Sequence, residues 1–159
     1  MEQGLPSLAP HLAMSAAAGV GVWAVTGEPV ALSAALAGGV LPDGDHLFDY
    51  YLKWVRRERR FLFLLLHGWE YLAAGIALYA LGFREPWFLA LVIGYATQIG
   101  ADQAFNSVRW HTYLLTARAF HGFRVQSVLG RDDSGGFAAV VDSIPIGKDR
   151  IRRWFENRK

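Results

Sequence analysis

No cysteine occurs anywhere in the 159 residues. Disulfides, cysteine-based zinc sites and thiol catalysis are therefore excluded. Charge is scarce as well: Asp, Glu, Lys and Arg make up 19% of the chain, against about 25% in an ordinary soluble domain. No Gly-x-Ser-x-Gly, P-loop or Gly-x-Gly-x-x-Gly element is present, so serine-hydrolase, nucleotide-hydrolase and dinucleotide-dependent chemistry have no support. No Lys or Arg precedes the first apolar stretch, where Glu2 stands. The N-terminus thus lacks the basic start of a signal peptide and reads as part of the mature fold. There is no internal repeat and no low-complexity segment, and the length suits one domain rather than two.

What is abundant is apolar: 53% of the residues are hydrophobic, and they concentrate before Asn106. They fall into runs at 12–25, 30–41, 61–83 and 87–105. Gly27-Glu28-Pro29 and Arg84-Glu85-Pro86 separate them as turns, and Pro42 stops the second. The first two runs are short and pair as a hairpin. The third and fourth reach the ~20 helical residues that a ~30 Å hydrocarbon core needs. A further helix is expected over 108–120, then a Gly-rich loop around 131–136 and a basic stretch from 147 onward.

The fold predicted from this pattern is all-α: a polytopic membrane bundle of about four membrane helices with a short cytoplasmic helical tail. Residues 1–123 would form the membrane-embedded domain and 124–159 the basic tail. Basic residues cluster at 53–60 and in the tail, which places both on the cytoplasmic side of an inner membrane. Small residues spaced by four, Ala17/Gly21 and Ala35/Gly39, would let helices approach closely. In the tail, Ile151, Trp154 and Phe155 form an apolar stripe among basic residues, as in a short amphipathic helix. The alternative is a soluble bundle with buried hairpins.

The polar residues within the apolar runs fall at one depth. His67 lies ~10 Å along a helix from Arg60, and Asp102 ~10 Å from Arg109. His11 opens the first helix from the same side, and Asp43, Asp45 and His46 follow the second. His67 and Glu70 are spaced i,i+3 and Gln98 and Asp102 i,i+4, so each pair would share a helix face. Imidazole nitrogen and carboxylate oxygen are the ligands that zinc or another divalent ion takes where no thiolate exists. Each residue also has a plainer role: Asp43 and Asp45 shaping a turn and capping a helix, Glu70 orienting His67, His111 and His121 as ordinary surface histidines.

The stretch Leu41-Pro42-Asp43-Gly44-Asp45-His46 resembles the Leu-Pro-Asp-x-Asp-His signature of the YdjM-like membrane-bound metal-dependent hydrolases, relatives of zinc-dependent phospholipase C. The resemblance runs roughly from His11 to Phe123. An early His is matched by His11, a third-helix His by His67, and a fourth-helix Gly-Tyr followed by His-x-x-x-Asp by Gly94-Tyr95 and Asp102. Gln98 stands where that pattern has His, and Leu62 and Phe63 occupy a region where paired His is usual. The resemblance implies a divalent metal, zinc, held by ligands drawn from His11, Asp43, His46, His67, Asp102 and Gln98. Asp45 and Glu70 are the candidates for catalysis, Glu70 as general base. The implied activity is hydrolysis of a phosphoester, with a lipid headgroup as one substrate and membrane lipids as partners. The competing expectation is a non-catalytic protein that keeps the cluster as a structural network, which Gln98 favours. Nucleic acid is not an expected partner.

Overall fold

The computed structural model of the chain describes residues 8–58, 60–105, 109–130, 149–150 and 153. The amphipathic-tail reading on Ile151, Trp154 and Phe155 and the Gly-rich loop at 131–136 lie outside the described residues. Helix α1 (Leu8–Thr26) is followed by α2 (Val30–Val40), a 3-10 turn (Leu41–Asp43) and α3 (Gly44–Tyr50), which loosens into a π-helical turn (Tyr51–Val55). Then come α4 (Trp69–Ala80), α5 (Pro86–Phe105), α6 (Leu115–Phe120) and α7 (Val125–Leu129).

Local chemistry sets most of these boundaries. Gly27 takes the left-handed conformation after α1 (φ 76), and its N–H bonds to Trp23 O at 2.7 Å, the usual glycine stop. Pro86 opens α5, where a missing N–H costs nothing. The ring of Pro42 interrupts regular helix bonding, so α2 ends and the chain tightens into the turn that carries Asp43.

The centre of the molecule is the contact of α1, α2 and α5. Val22, Ala31, Ala35 and Ala90 form its buried core, and the small residues bring backbones together. A methyl group added at Gly38 would strike the Leu91 carbonyl, and one at Gly94 the Ala35 carbonyl. The α2–α5 crossing therefore places Asp43, just after α2, against the last turns of α5, where Gln98 and Asp102 are buried. A second core of Leu64, Ile99 and Tyr113 lies beyond it.

The fold is mainly helical, but it corrects the expected membrane architecture. No helix among the described residues is long and apolar enough to cross a membrane. Helix α1 has 19 residues, about half of them Ala, Gly or Ser, with Pro10 and His11 near one end. Helix α5 turns polar at Gln98, Asp102 and Gln103. The expected spanning run at 61–83 is broken: α4 starts only at Trp69. The polytopic bundle, its four-pass topology and the multi-pass inner-membrane placement fall together.

Residues 61–68 are apolar but not helical, because their amides are bonded elsewhere. The Asp49 carboxylate accepts the Phe63 and Leu64 N–H groups at 2.9 Å each, and Asp45 accepts the Leu66 N–H at 2.7 Å. Leu62 N–H bonds to Phe123 O at 2.8 Å and Val125 N–H to Arg60 O at 2.9 Å. These bonds flank an isolated antiparallel bridge between Phe61 and Arg124. They tie residues 124–125, expected at the start of a separate tail, to the segment before α4. Leu64 sits at φ 40, a strained value for a branched side chain. Its own amide bond to Asp49 holds it there. The expected helix over 108–120 is also shorter: 110–113 are turns and α6 begins at Leu115.

Candidate metal centre

His67 is the hub. Its side chain has 0% exposure, although it precedes α4 rather than lying within it. Three carboxylates surround the ring. Asp45 Oδ1 lies 3.1 Å from Nδ1, while Asp43 Oδ1 and Asp102 Oδ2 lie 3.4 and 3.2 Å from Nε2. On the Nδ1 side the ring is hydrogen-bonded to Asp45. On the other side Nε2 makes no hydrogen bond: both oxygens are near, yet neither lies along the ring N–H direction. A buried ring nitrogen within 3.4 Å of two carboxylate oxygens, and hydrogen-bonded to neither, sits where all three atoms could share a cation.

His46, one turn along α3 from Asp43, completes the group. Its Nε2 is 4.0 Å from Asp43 Oδ1, and its ring centroid is 4.9 Å from that of His67. Ligand atoms of Asp43, His46 and His67 all lie within 4.8 Å of one another, and they form a group that could hold a metal ion. Zinc bonds of 2.0–2.1 Å in a tetrahedron put neighbouring ligand atoms about 3.3 Å apart. The separations from His67 Nε2 to Asp43 and Asp102 match that edge, and the His46 pair is somewhat longer.

The ionisation states follow from the surroundings. Burial pulls the His67 pKa down, but the contacts with Asp102, Asp43 and Asp45 outweigh it and raise it to about 11. Without a metal, His67 therefore carries a proton at neutral pH. His46 moves the other way: desolvation lowers its pKa, and the charge of His67 adds to the effect. It is neutral at pH 7, with a lone pair to donate. His46 and Asp43 are also where the cluster meets solvent, with side chains 38% and 26% exposed.

Asp102 links the centre to α1. Its second oxygen, Oδ1, is 3.6 Å from Nε2 of the buried His11, and His11 Nδ1 has no hydrogen-bond partner. Gln98 enters from one turn earlier on α5. Its Nε2 donates to Asp43 Oδ1 at 2.7 Å and to Asp102 Oδ2 at 3.2 Å. The amide presents its NH₂ group to these carboxylates, not the carbonyl oxygen that a metal ligand would offer.

The structure thus brings together His11, Asp43, Asp45, His46, His67, Gln98 and Asp102. Glu70 is elsewhere. Its carboxylate accepts the Leu115 and Thr116 N–H groups at 2.9 Å each and the Thr116 hydroxyl at 2.8 Å, closing the open N-terminus of α6. It shares no helix face with His67, which precedes α4, and its oxygens are engaged by α6. Asp45 is also committed, with its oxygens turned to His67 Nδ1 and the Leu66 amide. That is the work of a residue that orients a metal-bound histidine, not of a free catalytic acid or base.

Three further residues shape the centre, of which the sequence pattern singles out only Tyr95, within the Gly94-Tyr95 element. Asp49 holds the strained turn at Leu64. Tyr95 O–H accepts the Gly68 N–H at 2.9 Å and faces the Leu66 and Gly68 carbonyls at 2.8 Å each; burial pushes its pKa up to about 12. Arg118, with 0% exposure, donates to His67 O at 2.6 Å and to Thr112 O at 3.2 Å. For Asp49, its i,i+4 spacing from Asp45 on α3 was the one available hint. A cavity of about 350 Å³ lies nearby between α2, α4 and α5, with Pro42, Leu66, Tyr71 and Tyr95 among its walls. None of the candidate ligands lines it. Comparisons with known protein families, curated proteins and solved structures find no match for this chain.

Proposed function

We propose that this protein is a metal-dependent hydrolase that acts on a phosphoester, with zinc as the fitting ion. The observation that carries the reading is His67 Nε2, wholly buried, without a hydrogen bond, and 3.4 and 3.2 Å from oxygens of Asp43 and Asp102. His67, Asp43 and His46 would hold the ion, with Asp102 beside them. The motif at 41–46 and its resemblance to metal-dependent hydrolases support the same assignment. A bound divalent ion would lower the pKa of a water and polarise a phosphoryl oxygen. Asp45 keeps Nδ1 of His67 engaged, so Nε2 is the nitrogen left to bind. Substrate and water would approach past His46 and Asp43, the two ligands that reach solvent. Asp43 is the carboxylate at that opening, which suits it to take a proton from an incoming water.

The test is direct. Chelator-stripped protein is titrated with Zn²⁺ by calorimetry and assayed on a chromogenic phosphodiester, beside His67→Gln and Asp43→Asn. Zinc-dependent turnover that both substitutions abolish is expected. A folded wild type that binds no metal would sink the proposal.

A second reading has one specific observation behind it. The Gln98 amide joins Asp43 to Asp102, and protonated His67 balances part of their charge, so part of the cluster's cost is met without an ion. Under that reading the same titration gives no heat, and Gln98→Ala lowers the melting temperature.

A further inference from the structure

Given the metal reading proposed above, on which this rests, we infer that the centre is built for a single divalent ion and that Gln98 is the residue that sets this number. Two-ion hydrolytic centres hold their metals about 3.5–4 Å apart, and shared oxygen ligands must lie between them. Asp43 and Asp102 are the carboxylates placed to be shared, since both approach His67 Nε2. The Gln98 NH₂ group already lies between them, donating to an oxygen of each. Its orientation is set by chemistry: a flipped amide would turn its carbonyl oxygen toward two carboxylates that can only accept. On Asp43 Oδ1 one lone pair is therefore committed to Gln98 and one remains for an ion beside His67. A second ion between Asp43 and Asp102 requires this NH₂ group to give up both hydrogen bonds.

Among the described residues around the centre, the remaining donors do not supply another position. Both oxygens of Asp45 are used by Leu66 N–H and His67 Nδ1. Asp49 is turned to the amides of Phe63 and Leu64, and Glu70 to α6. His11 Nε2 with Asp102 Oδ1 makes a pair at 3.6 Å, fewer than the three protein ligands a catalytic zinc takes.

Arg118 is fully buried on the far side of His67, where its hydrogen bonds go to the carbonyls of His67 and Thr112 and fix the main chain that carries the ring.

The experiment is a metal count on the full chain. Stripped wild type, Gln98→Glu and Gln98→Ala are titrated with Zn²⁺ by calorimetry and their zinc is measured by elemental analysis after dialysis. Circular dichroism checks the fold of each. Wild type should bind one equivalent. Gln98→Glu replaces the blocking donor with a carboxylate and should bind two; Gln98→Ala, which only opens the space, should take a second equivalent at least tenfold more weakly than the first. Mn²⁺-loaded Gln98→Glu should show a spin-coupled pair by electron paramagnetic resonance. Two equivalents in wild type would overturn the single-ion inference and leave the metal reading standing. No zinc in a folded wild type would overturn the metal reading itself. One equivalent in every folded variant would remove Gln98 from its assigned role.

Discussion

Asp45 holds His67 and the residue before it: one carboxylate oxygen accepts the Leu66 N–H at 2.7 Å and the other lies 3.1 Å from Nδ1 of the His67 ring. Backbone and imidazole are thereby set by one side chain 22 residues earlier in the chain. In Asp45→Asn the amide can keep one of these contacts but presents the wrong partner or a weaker one to the other. Loss of such an orienting group typically costs 10–100-fold in metal affinity. Calorimetric Zn²⁺ titration of Asp45→Asn should show a loss in that range with the helical circular-dichroism signal retained. An unchanged affinity would mean that His67 is oriented by something else.

Metal affinity should depend on pH through His67. Its pKa is raised to about 11 in the metal-free fold, so at neutral pH an incoming ion must displace a proton. With one proton released per ion, apparent affinity should rise about tenfold per pH unit through the accessible alkaline range below 11. The metal-free protein behaves in the opposite sense. A histidine raised in the folded state contributes stability that is complete below its ordinary value of 6.5 and is lost as pH climbs through about 11. Thermal melts of stripped protein should therefore weaken from pH 7 to pH 10, and His67→Gln should flatten that decline. Parallel slopes for wild type and variant would show that the proton is not on His67.

Glu70 should prove structural. It lies within the first turn of α4 and closes the N-terminus of α6, where its loss should cost about 1 kcal/mol, as for a lost helix cap. Burial opposes its ionisation, but the Thr116 and Leu115 amides outweigh it and hold its pKa below the usual glutamate value. A carboxylate lowered in this way contributes stability above its unfolded pKa, lost as pH falls through its folded one. Glu70→Gln should melt lower at pH 7, converge with wild type in acid, and leave zinc affinity within about twofold. A collapse of zinc binding would put Glu70 back at the centre.

The α2–α5 crossing tolerates no added atoms. Gly94→Ala would place a methyl group against the Ala35 carbonyl, and backbone yields less readily than a side chain. Overpacking of this kind costs about 1–3 kcal/mol. Because Asp43 and Gln98 lie on the two elements that would separate, Zn²⁺ affinity should fall along with the melting temperature. Gly21→Ala, with open space at its Cβ position inside α1, is the control: it should leave zinc affinity unchanged and raise the melting temperature slightly, as alanine is the better helix former.

Helix positions and the site's membership were legible in the sequence to different degrees. Turn signals at Gly27–Pro29, Pro42 and Arg84–Pro86 mark real helix boundaries because glycine and proline act locally. The gathering of His11, Asp43, His46, His67, Gln98 and Asp102 follows from their places near helix ends. The segment at 61–66, Phe-Leu-Phe-Leu-Leu-Leu, was not legible. Its composition suits a helix, and what prevents one is the capture of its amides by Asp45 and Asp49 across a turn. That same error put Glu70 on the face of His67. Arg118 left no trace because its partners are main-chain carbonyls, which every residue possesses.

The turn before His67 is recognised through its main chain, and this has a consequence for which substitutions it can accept. Leu65 and Leu66 are 42% and 45% exposed, and what Asp45 holds at Leu66 is the N–H alone. Serine, glutamine or lysine at 66 should support the same zinc affinity as leucine. Proline, similar in polarity to what it replaces, should abolish binding, because it removes the hydrogen that Asp45 accepts. A saturation library at 66, sorted by zinc retention, would separate these outcomes in one pass. What the centre takes from its neighbour is main chain: a hydrogen on the nitrogen for Asp45 and a carbonyl oxygen for Tyr95.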